Sequence, residues 1–216
     1  DIFTGGRTGI LLAPGEADYQ ETGSQTTASA ADDLVGSIVS LDPAQNIAVA
    51  GSDTLRPTLR TSSGVFYYEF ADPSDRIRLL DGSSSDTYTI AFAMRIDPSE
   101  NGGVILYGQT SSTWAGSLSD GNTSSLIFQG LAATPTITID GSAHGTRDNA
   151  HTLGATGNWV FVLFENFQHN WTEINLTGYP SVQLAGDFGP VFVVDDTLTA
   201  QELTDVEDAI MAAVTP

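Results

Sequence analysis

The sequence predicts an all-β fold, an antiparallel β-sandwich with one short C-terminal α-helix. Three observations carry that expectation. Short apolar blocks recur along the chain with Gly, Asp, Ser and Asn clusters between them. Several blocks alternate apolar and polar residues with the period of two that a half-buried strand requires. Helical spacing after a capping motif is clear only at the C-terminus. A barrel is the alternative architecture.

The strand blocks, in order, are Gly9–Leu12, Val35–Leu41, Ile47–Ala50, Thr58–Arg60, Val65–Phe70 and Arg76–Leu80. They continue as Tyr88–Ile96, Val104–Gly108, Ser125–Gln129, Thr136–Ile139, Trp159–Glu165, Trp171–Leu176 and Val191–Val194. In Arg76-Ile77-Arg78-Leu79 and Thr136-Ile137-Thr138-Ile139 one face is apolar and the other polar. In the 89–96 block the large residues share one side and alanines fill most of the other, which suits a strand packed between two layers. Residues 159–164 are apolar on both faces, as expected of a central strand with Trp159 in the core. Asp140-Gly141 and Gly102-Gly103 are expected hairpin tips.

At the C-terminus Thr199 and Glu202 form a capping box, and Leu203, Val206, Ile210 and Val214 follow with helical spacing. Asp208 is expected to face solvent and Glu207 to lie at the edge of the stripe. Residues 1–32 read as an arm or loop packed on the sandwich or a neighbour, and 33–216 as the sandwich domain. The start at Asp1 leads to the expectation of processing or of a piece cut from a longer protein.

Composition excludes several functions. The 216 residues include no cysteine, so disulfides and thiolate metal sites are out. The chain has 27 Asp+Glu against 7 Lys+Arg, a formal charge of −20. All the cations are arginine, and Asp outnumbers Glu 19 to 8. Nucleic acids and anionic membranes would be repelled. No apolar run approaches the roughly 18 residues that span a bilayer. Asp-rich, lysine-free composition resembles proteins of salt-saturated environments, where short carboxylates hold water and screening removes self-repulsion.

Four segments together resemble concanavalin A-like lectin/glucanase domains, in the laminin-G-like form found in tailed-virus structural proteins. They are Asp33–Ile38 with Arg56–Arg60, Gly64–Phe70 with Asp75-Arg76-Ile77, Tyr88–Arg95, and Val191–Thr199 running into Glu202-Leu203. The resemblance spans roughly residues 33–214. It implies a concanavalin A-like jelly roll. It also implies a non-enzymatic virion protein (head decoration, turret, fibre or tail adhesin) for attachment to a host surface or glycan. Such a protein would be a homo-oligomer among other virion subunits, extracellular on the particle, facing host glycans or an S-layer. The alternative is a secreted glycan-binding or glycan-cleaving domain of a halophilic cell. Where the family has Asp-Gly after the second segment, this chain has Ala71-Asp72-Pro73.

Candidate chemistry is sparse. The Glu-x-Asp-x-(x)-Glu run of the glucanases is missing, leaving Glu165 and Glu173 isolated. No Gly-x-Ser-x-Gly elbow occurs. His144, His151 and His169 read as surface loop histidines. Calcium is the cofactor worth considering, with oxygen ligands from Asp72, Asp75, Asp195 and Asp196, if the two pairs converge. A sugar site needs an aromatic platform beside hydrogen-bonding groups. Trp114 with Asp120 and Asn122 offers one, and Asn170 with Trp171 and Tyr179 another. Rim packing or a subunit interface is the competing role for both tryptophans. Asn122, Asn170 and Asn175 each head a glycosylation-type triplet, with Asn122 the most loop-like.

Overall fold

The structure is a computed structural model. It describes residues 2–3, 7–20, 26–41, 47–50, 52, 54–72, 74–81, 87–108, 113–119, 121–124, 128–131, 135–143, 145–169, 171, 173–177 and 184–216. Sixteen strands and two helices appear among them. In chain order they are β1 (Gly9–Leu12), β2 (Asp18–Tyr19), β3 (Ser37–Val39), β4 (Ile47–Val49), β5 (Thr58–Ser62), β6 (Val65–Phe70), β7 (Ile77–Asp81) and β8 (Tyr88–Arg95). Then come β9 (Gly103–Tyr107), β10 (Trp114–Leu118), β11 (Phe128–Gln129), β12 (Thr136–Ile139), β13 (Ser142–Ala143), α1 (Arg147–Gly154), β14 (Val160–Phe167), β15 (Glu173–Leu176), β16 (Gly186–Val194) and α2 (Ala200–Val214).

The strands form two antiparallel sheets. Sheet A runs β13-β12-β14-β8-β16-β6-β5, with β1 also paired to β16, and sheet B runs β11-β10-β9-β15-β7-β4-β3-β2. The chain is an all-β sandwich with a C-terminal helix, as its patterning predicts. β8 shows why. Ile90, Phe92 and Met94 point into the core between the sheets, and Ala91 and Ala93 point outward beneath α2. β14 divides the same way, Val160, Val162 and Phe164 inward and Phe161 and Leu163 outward. Its place between β12 and β8 makes it central.

α2 therefore adds a third layer. Val206, Ile210 and Val214 are its buried residues, and Glu207 and Asp208 are exposed. The capping box forms in full, with Thr199 accepting from the Glu202 amide and Glu202 accepting from the Thr199 amide. Close approach of the helix needs a small residue below it. A Cβ on Gly189 would lie 2.5 Å from Val214 Cγ1.

Several expectations are corrected. Residues 114–118, absent from the expected strand blocks, form β10 with all five residues buried. Gly116, at φ 74°, interrupts the alternation there. β16 begins five residues before the apolar block. Phe188 pairs with Met94 and Val191 with Phe92, so Gly189 and Pro190 both oppose Ala93 in a bulge. A bulge tolerates the missing proline N–H. His151, read as a surface-loop histidine, lies instead in helix α1, with Thr146 as N-cap accepting from the Asn149 amide. Gly102-Gly103 joins strands of different sheets and is no hairpin tip. Asp140-Gly141 does turn β12 into β13, with φ of 46° and 70°. Within residues 1–32, the expected strand Gly9–Leu12 is β1 of sheet A, and Asp18–Tyr19 adds β2 to sheet B.

Candidate polar groove on sheet A

The outer face of sheet A is only partly covered by α2. Beyond the helix, four strands place charged and aromatic side chains in one row. Thr58 of β5 pairs with Glu69 of β6, Glu69 with Asp187 of β16, and Asp187 with Arg95 of β8. Directly opposed residues share a face, so register alone assembles this row. Arg95 donates from Nε and NH2 to Asp187 Oδ2, at 2.8 and 2.6 Å. Glu69 accepts from Arg60 at 2.7 Å, and Arg60 also pairs with Asp32.

Two rings hold the guanidinium of Arg95 flat. Its carbon lies 5.0 Å from the Tyr67 ring centroid and 4.9 Å from that of Trp159. The two rings meet edge to face, 5.9 Å apart. Trp159, expected in the core, is half-buried on this outer face. Beside the stack is a groove of about 280 Å³ lined by Glu69, Arg95, Asp97, Glu100 and Asp187, with backbone from Ala71, Gly157 and Gly186. A second hollow of about 160 Å³, between Ser62, Tyr67, Arg95 and Trp159, lies on the other side of Arg95.

The electrostatics of the pair are set first by burial. Burial pushes Asp187 up, and the Arg95 hydrogen bonds pull it back. Burial also disfavours the Arg95 charge, but Asp187 outweighs it and the guanidinium is held above its ordinary value. Asp97 is held below the usual carboxylate range by the hydroxyl and amide of Ser99.

The expected calcium ligands lie elsewhere and apart. Phe70 pairs with Gly186 at the start of β16, and Gly9 with Val194 at its end. Asp72 therefore follows one end of β16 and Asp195 the other, roughly 25 Å away at about 3.3 Å per residue. The two pairs do not converge. Asp72 accepts from the Ser74 amide and hydroxyl, which lower its pKa. Asp75 is buried, accepts from the Asp72 amide, and is pushed up to about 6 by burial. Asp195 accepts from the amide and hydroxyl of Thr8, and Asp196 from Arg7 Nε at 2.7 Å. These last two acids latch the N-terminal segment to the sheet. Among the described residues no group of three or more His, Asp or Glu is gathered as for a metal.

The expected sugar platforms are largely interior. Trp114 is 5% exposed, opposite Tyr107 on the outer face of sheet B, and the Arg147 guanidinium of α1 sits 4.9 Å from its ring. Asn122 is drawn to the same helix, its carbonyl accepting from the Asp148 amide. Trp114 and Asn122 thus meet through α1, but the indole face is taken. Trp171 is core, with Nε1 donating to the Gly130 carbonyl. Asp120, Asn170, Tyr179 and His144 lie outside the described residues. The other two histidines are buried, contrary to expectation. His151 bonds the Glu100 carbonyl at 2.7 Å. His169 sits among Tyr88, Phe167 and Trp171, where burial lowers its pKa. Asn175 is 1% exposed, which removes it as a glycosylation acceptor.

Compared with known proteins, the chain matches no family model, no curated protein sequence and no solved structure.

Proposed function

We propose that this chain is a non-enzymatic attachment module, a virion structural protein that presents its sandwich to a host surface or glycan. The observation that supports binding over turnover is the state of the groove carboxylates. Three of the four are engaged, Asp187 through Oδ2 by Arg95, Glu69 by Arg60 and Asp97 by the Ser99 turn, which leaves Glu100 alone with no side-chain partner among the described residues. Glycoside hydrolysis needs one carboxyl free to give a proton and a second across the scissile bond. A groove of largely paired carboxylates and a stacked guanidinium suits hydrogen-bonded recognition instead.

The setting on a tailed virus of a halophilic host rests on the lectin-like segments and on the lysine-free acidity. Weak contacts would gain strength through repeated copies on a particle. Mass spectrometry of particles purified from halophile cultures should find the chain in stoichiometric copies. Antibody against it should block adsorption to cells. Recovery from the culture medium alone, free of particles, would point to a secreted glycan-binding domain.

A further inference from the structure

We infer that the groove of sheet A takes an uncharged pyranose through two adjacent hydroxyls and turns away acidic sugars. This rests on the attachment reading above and names the ligand class of that site.

The first observation is an unequal ion pair. Both donating nitrogens of Arg95 address a single oxygen, Asp187 Oδ2. Asp187 Oδ1 makes no hydrogen bond among the described residues, and Arg95, which also hydrogen-bonds the Tyr67 side chain, has more N–H groups than these contacts use. An acceptor and a donor are thus set side by side at the groove. A sugar hydroxyl can donate and accept at once. Two neighbouring hydroxyls therefore match the pair, one accepting from the guanidinium and one donating to the carboxylate.

The second observation is pre-organisation. Tyr67 and Trp159 fix the plane of the guanidinium, at 5.0 and 4.9 Å, before any ligand arrives. Side chains already immobilised lose little freedom on binding. Each ring gives one face to Arg95 from the side of the second hollow, so their role is to hold the donor rather than to touch the sugar.

The third is charge. The groove-lining side chains include four carboxylates, Glu69, Asp97, Glu100 and Asp187, and one guanidinium. A uronic acid or sulfated sugar brings its charge within a few ångströms of them. That is close enough for repulsion to persist at molar salt, where the Debye length is about 3 Å. A neutral sugar meets no such penalty. The groove, about 280 Å³, has room for roughly one ring.

The test uses the full chain in molar KCl and titrates it, by NMR or calorimetry, with a neutral hexose tetrasaccharide and its uronic-acid counterpart. The neutral sugar should bind at least tenfold more tightly. Asp187→Asn, which retains shape, should weaken neutral binding tenfold or more while the protein still melts in one cooperative transition. The combined variant Glu69→Gln, Asp97→Asn, Glu100→Gln should bring the two affinities within about threefold. Equal or tighter binding of the acidic sugar, or neutral binding indifferent to Asp187→Asn, overturns the inference. Binding to whole envelopes without either sugar binding overturns it too, and leaves the attachment reading standing. Failure to bind envelopes and sugars alike overturns both.

Discussion

Tyr68 donates a 2.8 Å hydrogen bond from its hydroxyl to Asp18 Oδ1, tying β6 of sheet A to β2 of sheet B. Both side chains are essentially inaccessible, at 1% and 0% exposure. The Gly15 amide supplies Asp18 with a second hydrogen bond, to Oδ2. An ionised carboxylate is expensive in such a place unless it is well bonded. Burial accordingly pushes Asp18 from 3.8 up to about 6, against the pull of these two bonds.

Stability should therefore depend on pH through Asp18. Its folded pKa lies above its unfolded one, so between them the folded chain holds more protons. The Asp18 contribution falls as pH rises from about 4 to about 6 and is flat above, while His169, buried with a lowered pKa, contributes in the opposite direction below its ordinary value of 6.5. At 1.36 kcal/mol per unit the loss approaches 3 kcal/mol. Asp75, also raised to about 6, acts in the same direction. Urea unfolding from pH 4 to 7 should show this slope, and Asp18→Asn should lessen it. A slope identical in the variant would refute the assignment. Tyr68→Phe should cost about 1–3 kcal/mol at neutral pH by stripping a bond from a buried acceptor.

Two glycines separate tight packing from slack. A Cβ on Gly189 would meet Val214 Cγ1 at 2.5 Å and Ala93 Cβ at 3.1 Å, both on stiff or short side chains. Gly189→Ala should lift α2 from sheet A and lower stability by about 1–3 kcal/mol. A Cβ on Gly154 would meet only the flexible tip of Met94 at 2.8 Å, with Ile139 at ordinary contact distance. Gly154 closes α1, where alanine is favoured over glycine by about 0.5–1 kcal/mol. Gly154→Ala should be neutral or mildly stabilising. Thermal melts of the two variants should move in different directions or by clearly different amounts.

The fold was legible wherever local pattern and tertiary burial agree. Ile90, Phe92 and Met94 alternating with Ala91 and Ala93 announce two packed faces, and both exist. The capping box at Thr199 and the stripe through Val214 announce α2. The losses share a cause. α1 has little apolar periodicity, because it is buried through Ala150, His151 and Gly154. The start of β16 is masked by Gly189-Pro190, which only a bulge can seat. The groove was illegible for a different reason. Tyr67, Arg95, Trp159 and Asp187 come from four chain segments, and only strand register brings them together. Asp195 and Asp196 stood out as a pair in the sequence, but nothing there names Arg7 and Thr8 as their partners.

That latch makes its own prediction. Arg7 reaches Asp196 Oδ2 at 2.7 Å and Glu202 Oε1 at 2.5 Å, while Thr8 fills both oxygens of Asp195. Arg7, then the Thr199 amide and hydroxyl, lower Glu202 to about 2. A depressed carboxylate pKa means the stabilisation is present above about 4.5 and is lost as pH falls toward 2. Arg7→Ala should release the segment ahead of β1, seen as faster amide exchange at Thr8 and Asp195. Exchange in β14 should stay unchanged. Equal acceleration in both places would mean general destabilisation and would contradict a local latch.

Salt should govern the whole molecule. Twenty-seven carboxylates face seven arginines, and the described ion pairs engage Arg7, Arg60, Arg78 and Arg95. Most acids are therefore surplus, and their mutual repulsion opposes the compact state. Raising salt from 0.1 to 1 M shortens the Debye length from about 10 to about 3 Å. The same screening weakens the exposed pairs, but each is worth at most about 1 kcal/mol. Repulsion among the surplus charges is the larger quantity, so the melting temperature should rise steeply with KCl. Glu207→Gln with Asp208→Asn removes two charges from the solvent face of α2, where both are exposed. That variant should be more stable at 0.1 M KCl and show a shallower salt dependence. A melting temperature that does not change between 0.1 and 3 M would rule out acidity as a solvent adaptation.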